Sequence, residues 1–333
     1  MKLVQIVDFK LGRSIQGFFI CQDKHLRYTR NGDLYLDLVL SDSTGIIQSK
    51  MWDLVDDFQD RFNRGDPVAV KGKVGEFNEI HQLTVSQINL ASSEQYGKYG
   101  FSPELLLKSV DEPLNELWNR LSKLSKSIKK PLRELVSAII NLYAEKLRTM
   151  PASVNHHHPV RGGFLKHLVT TGEMASDLLR HYPGLNRDLV LAGIILHDIG
   201  KVESINDDLI PSHTDEGKLI GHIVLGRDIV MKTANKLGNI PQATLIKLEH
   251  IILYHQGSPE KGSVTYPQFP EALIVHYIDQ LDGRITLMQD AIEKDPNTDW
   301  TGYQSIFNLN YIKNKKRIII AMRETNNNSK FNK

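Results

Sequence analysis

The spacing of apolar residues changes near residue 100, and that change limits the fold more than any motif does. Up to about Leu90, apolar and polar residues alternate, as in half-buried strands. In Leu34-Tyr35-Leu36-Asp37-Leu38-Val39-Leu40 the leucines share one face, while Tyr35, Asp37 and Val39 share the other. Ser41-Asp42-Ser43-Thr44-Gly45 reads as a turn. Strands are predicted over 14–22, 34–40, 46–52, 68–74 and 80–90, and one short helix over 53–62, broken by Arg64-Gly65-Asp66-Pro67. Five strands with a helix between the third and fourth is the order of an OB-fold barrel.

After a Ser/Gly-rich stretch over 91–103 the apolar period becomes helical. Leu114, Leu117, Trp118, Leu121 and Leu124 fit one helix, and Leu132, Leu135, Val136, Ile139 and Leu142 fit the next. These two could pack internally or against another subunit. Further helices are predicted over 164–181, 187–197, 216–237, 242–254 and 269–292. A multidomain chain follows, with an all-β barrel ahead of an all-α domain. A length of 333 residues agrees with about two domains.

Composition narrows the setting. The chain is 41% apolar and 24% charged, an ordinary globular balance, and its net charge of +2 does not by itself call for nucleic acid. Its single cysteine, Cys21, excludes an intramolecular disulfide and suits a cytoplasmic protein. Cys21 is expected to pack as a small apolar residue. No apolar run resembles a secretory leader or a spanning helix, so no membrane partner is expected.

The helical half concentrates metal-ligand residue types: His167, the pair His197-Asp198, His222, His250, His255 with Gln256 beside it, and Asp279 with Asp282 nearby. Imidazole and carboxylate donors suit Mn, Fe, Zn or Mg, and the set lacks the thiolates of a closed structural zinc site. His197-Asp198 ends a wholly apolar run over 189–196, so Asp198, if buried, needs a counter-charge or strong donors. A divalent ion held there would lower the pKa of water and neutralise phosphoryl charge. His156-His157-His158 reads as a surface loop.

The order His…His-Asp…His…His…Asp resembles the HD-domain phosphohydrolases, an all-helical superfamily. The resemblance implies metal ligation by His167, His197, Asp198 and Asp279, with His222 and His255 as the intermediate histidines of two-metal versions. Within His197-Asp198-Ile199-Gly200-Lys201 it implies a catalytic role for Asp198 and a phosphate-facing one for Lys201. His157, His158, His250, Gln256 and Asp282 are expected to line the site. An OB-fold ahead of an HD domain is similar to the YhaM family of bacterial 3′→5′ exoribonucleases. The matching stretches include residues 35–45, 214–222 and 270–279. The chain departs from the family pattern at Gln256, where a second histidine is usual, and at Lys166, where a glutamate is common. Gln256 bears on whether one metal or two bind.

These readings divide the chain into an OB-fold nucleic-acid-binding domain over 1–92, a linker and helical connector over 93–128, an HD domain over 129–320, and a polar disordered tail over 321–333. An OB-fold binds single strands by stacking bases on aromatics along a basic groove. The expected face offers Phe19, Tyr35 and Trp52, with Lys50, Lys71 and Lys73 for phosphates. Tyr35 and Lys71 oppose the inner faces of their strands and should be exposed. The expected function is metal-dependent 3′→5′ hydrolysis of single-stranded RNA, or also of DNA, to nucleoside 5′-monophosphates, with Mn2+ as the ion. Two alternatives stay open: an HD hydrolase of small nucleotides, and a non-catalytic strand binder with a degenerate HD site. A homo-oligomer is also left open, through the two helices over 114–124 and 132–143.

Overall fold

The computed structural model describes residues 4–154, 158–261, 263, 265–305 and 307–313. The expected tail over 321–333 and His157 lie outside them.

The N-terminal strands close into a barrel in the order β1-β2-β3-β5-β4. They are β1 (Ser14–Tyr28), β2 (Leu34–Asp42), β3 (Gly45–Met51), β4 (Pro67–Phe77) and β5 (Ile80–Leu90). Closure depends on β1, which is long enough to serve both neighbours. Its first half pairs with β4 through Ser14–Ile20, and its second half pairs with β2. A register shift between Cys21 and Asp23 bends the strand from one partner to the other. β3 meets β5 in parallel over Gln48–Lys50. The alternating leucines Leu36, Leu38 and Leu40 fill the interior with Phe19, Cys21, Val70 and Leu83. Cys21 is fully buried, and burial pushes its thiol up to about 12, so it packs as a neutral group.

The helix expected over 53–62 is divided. An α-helix α1 (Val55–Phe58) runs into a 3-10 turn (Gln59–Arg61), and Val55, Phe58 and Phe62 seal the barrel's end. Past the barrel, a single turn α2 (Ser93–Tyr96) starts from a Ser92 cap whose hydroxyl accepts from Gln95 N–H.

The helical domain comprises α3 (Leu114–Lys126), α4 (Leu132–Leu142), α5 (Ala144–Thr149), α6 (Gly163–Leu178), α7 (Arg187–Leu196), α8 (Lys201–Ser204), α9 (Asp215–Leu219), α10 (His222–Leu237), α11 (Gln242–Tyr254) and α12 (Pro270–Lys294). At its centre lies α7, whose residues Leu189 through Leu196 are all buried. A helix apolar all round must be enclosed, and α3, α4, α6, α11 and α12 enclose it. The first of these, grouped with the connector by sequence, packs Leu117 and Leu121 into this core. The single helix expected over 216–237 is two. Gly221, at φ +83, takes a conformation that L side chains rarely adopt, and it breaks the chain so that His222 opens α10.

Candidate metal centre and nucleic-acid face

Four elements deliver the buried donors. His167 comes from the middle of α6, and His197 and Asp198 follow the end of α7. His255 caps α11, and Asp279 lies within α12. The His197–Lys201 loop is seated by Gly200, where a Cβ would collide with the backbone of His222 and Gly226. That close approach brings the start of α10, and so His222, beside Asp198.

Hydrogen bonds on the far side of each ring decide which nitrogen faces the centre. Carbonyl oxygens only accept, so the 2.8 Å contacts of His197 Nδ1 with Ile194 O and of His255 Nδ1 with Ile252 O place N–H on Nδ1. His167 Nδ1 donates to Asp282 Oδ2 at 2.7 Å. In all three rings Nε2 is therefore the nitrogen turned inward, and it offers a lone pair there when the ring is neutral. His167 Nε2 and His197 Nε2 stand 3.5 Å apart, and each is 3.5 Å from Asp279 Oδ1. Asp198 Oδ2 lies 3.4 Å from His197 Nε2. Converging lone pairs and carboxylates repel unless a cation sits among them, so this donor set fits a divalent ion.

Asp198 is shared between two groups of donors. One is His167, His197, Asp198 and Asp279, and the other is Asp198, His222 and His255. Asp198 Oδ1 lies 3.2 Å from His222 Nε2 and 3.4 Å from His255 Nε2. Among the described residues it is buried with no hydrogen-bond partner, as is His222 Nε2. A buried orphan of this kind is the second sign that a cation belongs here.

Charge states follow the same logic. Burial alone would lower the His197 pKa, but Asp198 and Asp279 outweigh it and drive the ring up to about 10. Without a cation the centre thus captures a proton, which an incoming ion must displace. Burial would raise Asp198, yet Lys201 and His197 hold it well below the carboxylate range. Burial holds His222 below its ordinary value. Lys201 is 8% exposed, not a solvated helix end, and its Nζ lies 2.5 Å from Asp198 Oδ2.

The other lining residues separate. Asp282 stands behind His167 and fixes its tautomer, and His158 Nε2 lies 3.4 Å from the same Asp282 oxygen. Burial opposes ionisation of Asp282, but His158 and His167 hold it well below the carboxylate range. Gln256 Nε2 donates to His255 Nε2 at 2.9 Å, so the lone pair facing the second group is already engaged. The expectation for His250 is corrected: its ring packs against Tyr254 and Phe269 at 4.3 and 5.1 Å, and its Nε2 accepts from Gln268 N–H. It sits five residues before His255 on α11, which turns it to another side of the helix. Lys166 binds Glu112, which also holds Arg120, so this residue ties the connector to α6. His276 was passed over by sequence. Its Nδ1 donates to His255 O at 2.7 Å, over a space that Gly257 leaves open.

Asp282→Asn is expected to lower metal affinity about 10- to 100-fold, the usual effect of losing a carboxylate behind a ligating histidine. Titration calorimetry with Mn2+ on the otherwise unchanged chain would measure it. Unaltered affinity would remove Asp282 from the ligand's support.

On the barrel, Tyr35 stacks on Trp52 at 4.7 Å and 28°. Lys50 Nζ lies over both rings, at 5.3 and 5.2 Å. Phe77, which sequence did not single out, joins them at 5.9 Å from Lys50 Nζ. It is 61% exposed and leads into the tight Asn78-Glu79 turn, where both residues have positive φ. Phe19 is a correction: it is fully buried in the barrel core and presents nothing to a strand. Gln16 and Phe18 lie on the outer face of β1 instead. Lys71 and Lys73 are exposed on β4.

Comparison with known proteins agrees with this architecture. The family profile described as HD domain matches residues 164–284, and the one described as OB-fold nucleic acid binding domain matches residues 22–91. A third, described as a helicase, covers residues 102–182, which contain no Gly-x-x-x-x-Gly-Lys phosphate loop. The chain is 32% identical over 291 residues to the 3′-5′ exoribonuclease YhaM of Oceanobacillus iheyensis, covering 85% of this chain and 88% of that one. It is 30% identical to the protein of the same name from Geobacillus sp., over 87% of this chain and 88% of that one. The Bacillus licheniformis protein is also 30% identical, over 89% and 93%. Likeness at this level along both domains makes this chain a member of the YhaM 3′-5′ exoribonuclease family, with an OB-fold barrel followed by an HD domain.

Proposed function

We propose that the chain is a metal-dependent 3′→5′ exoribonuclease that shortens single-stranded RNA to nucleoside 5′-monophosphates. The carrying observation is the convergence of His167, His197, Asp198 and Asp279 on one buried point, in a chain that also carries a strand-binding barrel. The direction and the RNA substrate are supported by the name of the relatives.

His167, His197, Asp198 and Asp279 would hold the ion, which we take to be Mn2+, in keeping with mixed imidazole and carboxylate donors. When bound, it supplies Lewis acidity toward a phosphoryl oxygen and lowers the pKa of water. Lys201 keeps a positive charge beside Asp198, where a scissile phosphate would meet it. Asp282 accepts from His167 Nδ1 and so directs Nε2 toward the ion. The Asp198, His222 and His255 group would hold a second ion once Gln256 gives up its bond to His255. Tyr35, Trp52 and Lys50 would stack bases and meet phosphates. A cleft of about 980 Å3 between the domains runs from barrel residues such as Gln22 and Ser41 to His158 beside Asp282, and supports a path from one to the other. Cytoplasmic location belongs to the same proposal. Among the described residues, no helix is long and apolar enough to cross a membrane.

The test follows a 5′-labelled single-stranded RNA with Mn2+ on a gel over time. A descending ladder is expected. Intact RNA from protein shown to bind both strand and metal would sink the assignment.

A further inference from the structure

The barrel carries a second aromatic pocket, away from the Tyr35–Trp52 pair. It opens on the outer face of β1, β4 and β5, where α2 and the turn Gly97–Tyr99 fold back onto the strands. Its volume is about 400 Å3. Phe18 forms the base, edge-on to Tyr96 at 5.2 Å and held from below by Phe101 at 4.7 Å. Tyr99, 52% exposed, forms the outer wall. Opposite the rings is a polar row. Lys71 on β4 is in register with Gln16 on β1 and Gln87 on β5, so these side chains leave the sheet side by side. Arg61 and Lys98 border the adjoining hollow that shares Tyr96 and Tyr99.

Strand register joins this pocket to the first face. Lys50 on β3 is aligned with Thr84 on β5, and Thr84 with Lys73 on β4. Lys73 and Lys71 are two residues apart on one strand and both exposed, so they point the same way. Strands lie about 4.8 Å apart and rise about 3.3 Å per residue, so Lys50, Lys73 and Lys71 mark a short curved line of positive charge around the barrel.

We infer that this pocket takes a nucleobase of the same single strand, beyond the bases stacked on Tyr35 and Trp52. Aromatic walls stack any base, carboxamides pair with base edges, and the lysine line follows the phosphates. An apolar protein segment would leave Gln16, Lys71 and Gln87 unpaired on burial, which argues against it. The inference rests on the barrel being a single-strand binder, and its test separates the two.

Fluorescence anisotropy would be measured on the full chain, with EDTA present so that the strand stays intact. The probes are labelled oligoadenylates of about 4 and about 16 nucleotides, the ends of the range of site sizes for one such barrel. Tyr99→Ala, at an exposed position, is expected to weaken the long strand about 5- to 100-fold and leave the short one unchanged. Lys71→Ala should reduce the salt dependence of the long strand by about one phosphate contact. Wild-type affinity of Tyr99→Ala for the long strand overturns the pocket. Trp52→Ala in parallel tells which reading has failed: weakened, it leaves the barrel a strand binder, and unchanged, it overturns both.

Discussion

Asp198→Ala is expected to lower the rate of RNA hydrolysis by roughly 10^3-fold or more while leaving strand affinity near wild type. Its two oxygens face different donor groups, so one substitution takes a ligand from both. It also leaves Lys201 buried without its carboxylate. Asp198→Asn, which keeps the volume and removes the charge, separates loss of the ligand from loss of packing. Both variants would be compared by single-turnover cleavage of labelled RNA, metal content and anisotropy. Cleavage at the wild-type rate in a folded Asp198→Asn protein would dismiss the centre as catalytic. Binding that falls in step with cleavage would contradict the division of labour between barrel and helices.

Trp52→Ala should act in the opposite sense, on binding rather than on the chemical step. Trp52 is 42% exposed and stacked on Tyr35, with Lys50 above both. Its removal takes away a base platform worth about 1–3 kcal/mol, or about 5- to 100-fold in Kd and KM, with kcat at saturating RNA unchanged. The fold should tolerate the change, because the barrel is filled by Leu36, Leu38 and Leu40 from the other side of β2. A loss confined to kcat would move Trp52 out of the strand-binding face.

The extent to which the site was legible depended on the kind of signal. The His-Asp pair at the end of an apolar helix was readable because a buried carboxylate must be compensated. Asp198 is 2% exposed, with Lys201 at 2.5 Å. Asp282 was readable only as a neighbour of Asp279, since its contact with His167 spans 115 residues of sequence. His250 looked like His255 by residue type, and only the direction of its ring, toward Tyr254 and Phe269, tells them apart. On the barrel, alternation put Tyr35 and Lys71 on the outer face, where Lys71 is exposed and Tyr35 is half-buried against Trp52. In β1 the run Gly17-Phe18-Phe19-Ile20-Cys21 has no alternation, so the sequence offered no means of choosing between Phe18 and Phe19.

By itself the sequence determined the order of elements, the change from a period of two to a period of 3.6, and the pool of donors from which a metal centre can be drawn. Periodicity and residue chemistry are local, so a single chain carries them in full. The tertiary structure decided which donors meet and what each faces. It brought α6, α7 and α12 onto one group of donors and α10 and α11 onto another, shared Asp198 between them, and turned Lys71 toward a pocket apart from Lys50. Those outcomes depend on packing between residues far apart in the chain, where a register or rotation of one residue reverses which way a side chain points.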